Sequence, residues 1–321
     1  MRGNRPTFHG GALAASMAAA LENLNRTSRV FYARPEGGQS NTALSRRSLL
    51  VLGVASLVLW TSTSASHAQN PALQELLDRA TLQVVEFVDK FSNVVAEEIY
   101  VQEMNRPKKK RTLRSDLALV RYPGATQWML FRDVYEVDGK QVRGEAEAQR
   151  IMRLFLEPPQ DALRRAGDIA RVGASYNLLD IGTINHPLLA IAFLQPAYRS
   201  HFRFNLSGLE KELGPRVRTV RFQEFQRPTI LKANANNDLP VQGLFWIDEV
   251  TGRVVKTELD LGLSRTPPEV VTLFKFDEEL GLNVPAEMRD WYPDGSGELR
   301  GVATYGKFRR FEVRTDETVQ K

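Results

Sequence analysis

The chain contains no cysteine among its 321 residues. That excludes disulfides, thiol catalysis, iron–sulfur ligation and the usual zinc ribbons. It also removes the residue a bacterial lipoprotein needs at its cleavage point, so the product is expected to be soluble or only peripherally membrane-bound. Histidine is scarce: four in all, with only His186 and His201 beyond residue 68. They are fifteen residues apart with no acidic ligand pattern between them, so neither a metal site nor any other cofactor is expected. The longest apolar run, Leu49 to Trp60, has twelve residues, short of the about 20 that span a bilayer. There is no H-E-x-x-H, P-loop, G-x-G-x-x-G or G-x-S-x-G.

An excess of one charge is missing too, once its source is traced. The formal net charge is +5. Residues 1–68 hold seven arginines, no lysine and two acids; setting these aside from the 43 basic and 38 acidic residues leaves 36 of each. The remaining chain is neutral, which gives no electrostatic case for a nucleic-acid partner.

What is present begins with a leader. Ser45-Arg46-Arg47-Ser48-Leu49-Leu50 opens the apolar run, and small residues follow to Ser66-His67-Ala68. Positive charge, a short apolar segment and small residues at −3 and −1 make a signal peptide over 45–68, cleaved after Ala68. Arg46-Arg47 fits a twin-arginine signal, and an ordinary Sec signal with two arginines fits as well. Residues 1–44 read as a disordered or over-long leader. Residues 69–321 read as one α+β domain in the periplasm or outside the cell.

Within that domain, Asn70-Pro71 is a helix start. Leu73, Leu77, Ala80, Val84, Phe87, Phe91, Val94 and Val95 then recur in three- and four-residue steps, predicting a helix to about Glu98. Lys108-Lys109-Lys110-Arg111 is expected as a basic loop. Thr112–Tyr122 and Gln127–Val137 read as strands, with Asp138-Gly139 as a hairpin turn into Lys140–Arg143. Helices are expected over Glu145–Glu157, Gln160–Tyr176 and the wholly apolar Leu188–Leu194. From His201 onward seven segments read as antiparallel strand: Phe202–Leu206, Val217–Phe225, Leu244–Asp248, Val254–Leu263, Val270–Phe276, Val284–Tyr292 and Leu299–Val313.

Some strands alternate and have one wet face, as in Phe202–Leu206 and Val255–Leu263. Trp128–Phe131, Leu244–Ile247 and Val270–Phe276 are apolar on both faces, so they need cover on both. Phe245-Trp246-Ile247-Asp248 leads through Thr251-Gly252 to Val254–Glu258; Leu282–Met288 and Ala303–Phe308 follow. This stretch of roughly 70 residues resembles the periplasmic lipoprotein-carrier superfamily (LolA/LppX-like), and the whole mature chain is similar to a family of uncharacterised secreted bacterial proteins. The resemblance implies a curved, largely antiparallel sheet, an open half-barrel with a long N-terminal helix and a helical insert. It carries over no functional residue.

Candidate chemistry is sparse. His186 precedes a helix-starting proline and reads as a cap, and His201 lies on the polar face of a strand. Glu97 and Glu98 would point about 100° apart on a helix and read as a solvated helix end. Asp133, Glu136 and Asp138 cluster near the hairpin, where Asp138 belongs to the turn. The basic run Lys108, Lys109, Lys110 and Arg111 could meet anionic headgroups. Trp128, Phe131, Phe245, Trp246, Phe274 and Phe276 either fill the core or line an apolar cavity. Three functions stay open: a non-enzymatic binder of a lipid or other apolar ligand, an interaction module of the cell envelope with a filled core, and a hydrolase whose site is assembled across the fold. A cavity separates the first two.

Overall fold

In a computed structural model the described residues are 70–92, 94–121, 128–144, 151, 154, 159–179, 184–234, 237–294 and 297–310. Arg46, Arg47 and Ala68, and with them the leader, lie outside this set, as does most of the helix expected over Glu145–Glu157.

The first helix, α1 (Pro71–Phe91), starts where the sequence indicates: Asn70 Oδ1 accepts a hydrogen bond from the Ala72 amide at 3.1 Å, with proline in the first turn. Its buried stripe includes Leu73, Leu77, Ala80, Val84, Phe87 and Phe91. It ends seven residues before the expected Glu98, because Val94–Asn105 is a strand, β1. Val94, Ala96, Glu98, Tyr100 and Gln102 alternate inward along it. An inward glutamate disguises the period of two, so the helical period seems to continue through it.

The β2 strand (Lys108–Arg121) follows a tight turn and pairs with β1, so Lys108–Arg111 are strand residues rather than a loop. Strand β3 (Trp128–Val137) turns through Asp138-Gly139 into β4 (Lys140–Gln141). Both turn residues have positive φ, 49° and 80°, the hairpin geometry expected of this pair. Helix α2 (Pro159–Ser175) packs on β3 so closely that a Cβ on Gly173 would lie 2.6 Å from the Arg132 carbonyl oxygen. Two short helices follow, α3 (Leu189–Ala192) and α4 (Pro196–Arg199); Leu188–Leu194 is buried throughout, as its lack of polar residues requires.

The rest is strand: β5 (Phe202–Leu209), β6 (Val217–Glu224), the small pair β7 (Lys232–Asn234) and β8 (Asn237–Asp238), β9 (Val241–Asp248), β10 (Val254–Leu261), β11 (Glu269–Asp277), β12 (Leu282–Asp294) and β13 (Gly297–Arg310). Eleven strands form one antiparallel sheet in the order β4-β3-β2-β1-β13-β12-β11-β10-β9-β6-β5. The N-terminal hairpin joins the C-terminal meander through β1 and β13. The outermost strands β4 and β5 do not pair, so the sheet is open.

Helices cover the inner face along the sheet and the outer face at the β1–β3 end, whereas on the outer side of β9 the Lys256 side chain lies over Trp246. One large core joins Leu130 and Val134 of β3 to Phe202 of β5, near the opposite edge, with α1 and the Leu188–Leu194 segment between them. A flat sheet of eleven strands would be about 48 Å wide at about 4.8 Å spacing, wider than a 21-residue helix is long (about 32 Å). Coiling round the helices lets both sides of the sheet share one core. A second, smaller core on the outer face joins Val95, Ala118 and Phe131 to Ile151, Ala166 and Ile169.

Candidate functional site

Two regions of the inner face combine side chains in ways that bear on function. The first is a seam between α1 and the strand ends. Val84 and Phe87 of α1 face Ile191 of α3, Val254 of β10, Phe274 of β11 and Leu282 of β12 around a groove of about 40 Å3. Its rim is polar: Gln83, Glu86, Arg253 and Asn283. Asn283 Nδ2 donates to the Val254 carbonyl at 2.5 Å, and Glu86 is paired with Lys90 at 2.6 Å. The Arg253 guanidinium lies 3.8 Å from the centroid of the Phe276 ring. At its N-terminal half α1 is tied to the insert, where Thr81 Oγ1 donates to the Leu194 carbonyl at 2.9 Å and Arg199 meets Asp78 at 2.6 Å.

The second region is a buried polar cluster at the β3–β2–β1–β13–β12 end. The Arg132 guanidinium forks onto both Glu98 oxygens, at 2.6 Å for Nη2–Oε1 with Nε held to Oε2. Ser115 Oγ donates to Glu98 Oε2 at 2.7 Å, and Arg132 lies 5.0 Å over the Tyr100 ring. Tyr100 OH donates to Asp290 Oδ2 at 2.7 Å and accepts from Gln102 Nε2 at 3.1 Å. Glu98, Tyr100 and Gln102 are fully buried, and Asp290 nearly so.

Burial opposes the Arg132 charge, but the Glu98 carboxylate outweighs it and keeps the guanidinium protonated. Burial pushes the Asp290 carboxyl up to about 6, against the Tyr100 hydrogen bond and Arg132. It raises Tyr100 well above the ordinary phenol range, and Asp290 adds to the rise. Room for the cluster comes from Gly301: a Cβ there would sit 2.3 Å from Asp290 Oδ1 and 2.6 Å from Tyr100 OH.

This cluster holds the insert. Arg111 Nη1 donates to the Tyr176 carbonyl at 2.7 Å, Gln102 Oε1 accepts from the Leu178 amide at 2.9 Å, and Arg132 Nη2 donates to the Asn185 carbonyl at 3.2 Å. Backbone groups of the half-buried residues Tyr176, Leu178 and Asn185 need partners, and inward-pointing side chains of β1, β2 and β3 supply them. Glu98 and Arg132 are spent on each other and on the backbone, while Asp290 Oδ1 has no hydrogen-bond partner.

The two histidines lie apart. His186 Nδ1 accepts from the Leu188 amide at 3.3 Å in the loop ahead of α3, whose N-cap residue Leu188 has no side-chain cap; burial, then Arg132, lowers its pKa to about 3, so the ring is neutral. His201 is largely covered, with Nδ1 4.0 Å from Glu224 Oε1. Burial pushes Glu224 up to about 7, although its oxygens accept from the Ile230 and Val241 amides at 2.7 and 3.3 Å. Asp133 is buried, and Arg143 reaches both it (2.9 Å) and Asp116 (3.0 Å).

The sequence-selected aromatics do not converge. Phe245 is in the inner core, stacked on Phe222 with centroids 4.4 Å apart. Phe131 packs in the outer core with Ile169. Trp246 is 6% exposed on the outer side, under the Lys256 ammonium at 4.1 Å. Phe274 lines the groove, and Phe276 stands at its rim. The expectation that Phe276 is covered like Trp246 fails, for it is 43% exposed: the last residues of β11 run past the covering helix. The side chain of Trp128 lies outside the described set. Of the basic run, Arg111 turns inward to the insert, and Lys110 pairs with Glu103 at 2.8 Å on the surface.

Glu98, Tyr100, Arg132 and Asp290 were not legible as a group. The available signal was a charged residue in the inward phase of an alternating strand. Likewise Glu258, Asp260 and Glu269 share no ligand spacing along the chain. Across β10 and β11 their carboxylate oxygens come within 4.8 Å of one another. Burial and mutual repulsion raise the Glu258 carboxyl, while Lys256 and Arg221 offset part of the charge.

No protein-family model and no curated protein matches the chain. Solved structures do resemble it. A DUF1329 family protein from Desulfovibrio piger is 11% identical with a TM-score of 0.37, over 77% of this chain and 96% of that one. The LolA superfamily protein NE2245 from Nitrosomonas europaea is 12% identical (TM-score 0.32; 75% and 97% covered). A putative outer membrane lipoprotein-sorting protein domain from Vibrio parahaemolyticus is 12% identical (TM-score 0.33; 75% and 94% covered). The likeness is one of fold, at low identity, and assigns no residue or ligand to this chain.

Proposed function

We propose that this is an exported, non-catalytic protein of the bacterial envelope that binds a lipid or other apolar ligand between α1 and the sheet. The observation that carries the reading is how the inner face is covered. α1 lies over the strand ends through an apolar stripe, and among the described residues its polar ties to the rest of the chain are to the insert, at Asp78 and Thr81 in its N-terminal half. The seam already opens as a groove at Phe87, Phe274 and Leu282. Its volume, about 40 Å3, is well below the roughly 150 Å3 cavity that takes a benzene ring, so a ligand enters by displacing part of α1. Export is supported by the segment 45–68. Among the described residues, no helix is long and apolar enough to cross a membrane.

Mass spectrometry of organic extracts from protein purified out of its own envelope tests this. An apolar molecule retained in near-stoichiometric amount is the expected result. Protein that carries none and binds no apolar fluorescent probe overturns the reading.

The tilted Phe193–Phe202 and stacked Phe222–Phe245 pairs, with centroids 4.7 and 4.4 Å apart, favour a second reading. They fill the part of the inner face near β5, β6 and β9, as an interaction module with a closed core would require.

A further inference from the structure

We infer that the apolar ligand held under α1 is an amphiphile with a carboxylate head, such as a long-chain fatty acid, and that Arg253 is its head-group residue. The inference rests on the apolar-ligand reading and adds the chemistry of the head.

Arg253 is the only cation among the residues that line the groove. No ion pair to a carboxylate joins it among the described residues, and the one acid on the same rim, Glu86, is neutralised by Lys90 at 2.6 Å. The guanidinium is held in place by its own neighbours. It stacks at 3.8 Å on Phe276, a ring left 43% exposed, and it follows Gly252, which lies against the α1 backbone. A Cβ on Gly252 would stand 2.7 Å from the Arg79 carbonyl carbon, and its φ of 73° suits glycine. The Thr251-Gly252 turn thus fixes Arg253 against the helix that forms the other wall.

A stacked guanidinium keeps its edge free, and that edge offers parallel N–H donors matched to a carboxylate. Behind it lie Val254, Phe274, Leu282 and Phe87, an apolar path for one chain. One cation without a carboxylate partner of its own matches a head that bears a single negative charge, as the carboxylate of a fatty acid does.

The test titrates the mature protein at pH 8 with oleate and with methyl oleate, read by displacement of an apolar fluorophore. Wild type is expected to bind oleate at least tenfold more tightly than the ester. Arg253→Gln should abolish that preference, and a thermal melt matching that of wild type shows that the variant is folded. Equal binding of acid and ester by the wild type overturns the head-group inference and leaves the apolar reading standing. A preference that survives in Arg253→Gln overturns the role of Arg253. Binding of neither overturns both readings.

Discussion

Replacing Glu98 by glutamine preserves the shape of the side chain and removes its charge. In the wild type that carboxylate accepts from Arg132 twice and from Ser115 once. Its side chain is fully buried, and that of Arg132 is 10% exposed. The variant leaves a buried guanidinium without a counter-ion, which costs about 3–5 kcal/mol. Against a total stability of about 5–15 kcal/mol, this is a large share. At a urea m-value of about 3 kcal/mol/M the midpoint should fall by about 1–1.7 M. Trp128, Trp246 and Trp291, the tryptophans beyond the leader, provide the fluorescence signal. A double-mutant cycle with Glu98→Leu and Arg132→Met sharpens the test, since replacing both partners by apolar groups removes the uncompensated charge. The double variant should be more stable than either single one. A midpoint shift below about 0.3 M for Glu98→Gln, or strict additivity in the cycle, would refute the description of these two groups as a desolvated, coupled pair.

The pH dependence follows from Asp290 and Glu224, whose carboxyls burial raises from 3.8 to about 6 and from 4.5 to about 7. A raised carboxyl favours the folded state fully below its unfolded value and loses that contribution as pH climbs through the folded one. These two groups therefore withdraw stability between about pH 4 and 7. Asp290→Asn should flatten the fall by on the order of 2–3 kcal/mol in urea titrations, and an unchanged profile would contradict the burial of Asp290. Gly301→Ala should destabilise by about 1–3 kcal/mol through overpacking against Asp290 and Tyr100. Gly306→Ala, five residues along the same strand with nothing within 4 Å of the new Cβ, serves as the control in parallel thermal melts. Phe245→Ala should cost about 3–5 kcal/mol. Phe276→Ala, half in solvent, should cost under about 1 kcal/mol; equal losses would show that the rim ring is packed.

Local chemistry was written plainly in the chain. Asn70-Pro71 marks a helix start whatever surrounds it, because the cap bond and the proline φ are made within three residues. Asp138-Gly139 marks a hairpin for the same reason, and the strands of the C-terminal half are legible from β-branched runs between turn residues. The α+β class and the antiparallel sheet follow from those signals. Three matters depended on the closed structure. Val94–Asn105 carries an apolar pattern that suits helix or strand, and pairing with both β2 and β13 decided for the strand. Lys108–Arg111 looked like a solvated loop because four cations avoid a core. The edge of β1 supplied a ladder of backbone partners that holds them in a strand, with Arg111 drawn inward by the carbonyls of the insert. The polar cluster and the groove under α1 each draw side chains from four or more separate elements. No spacing along the chain encodes such meetings, because they are set by strand order and by the path of α1 across the strand ends.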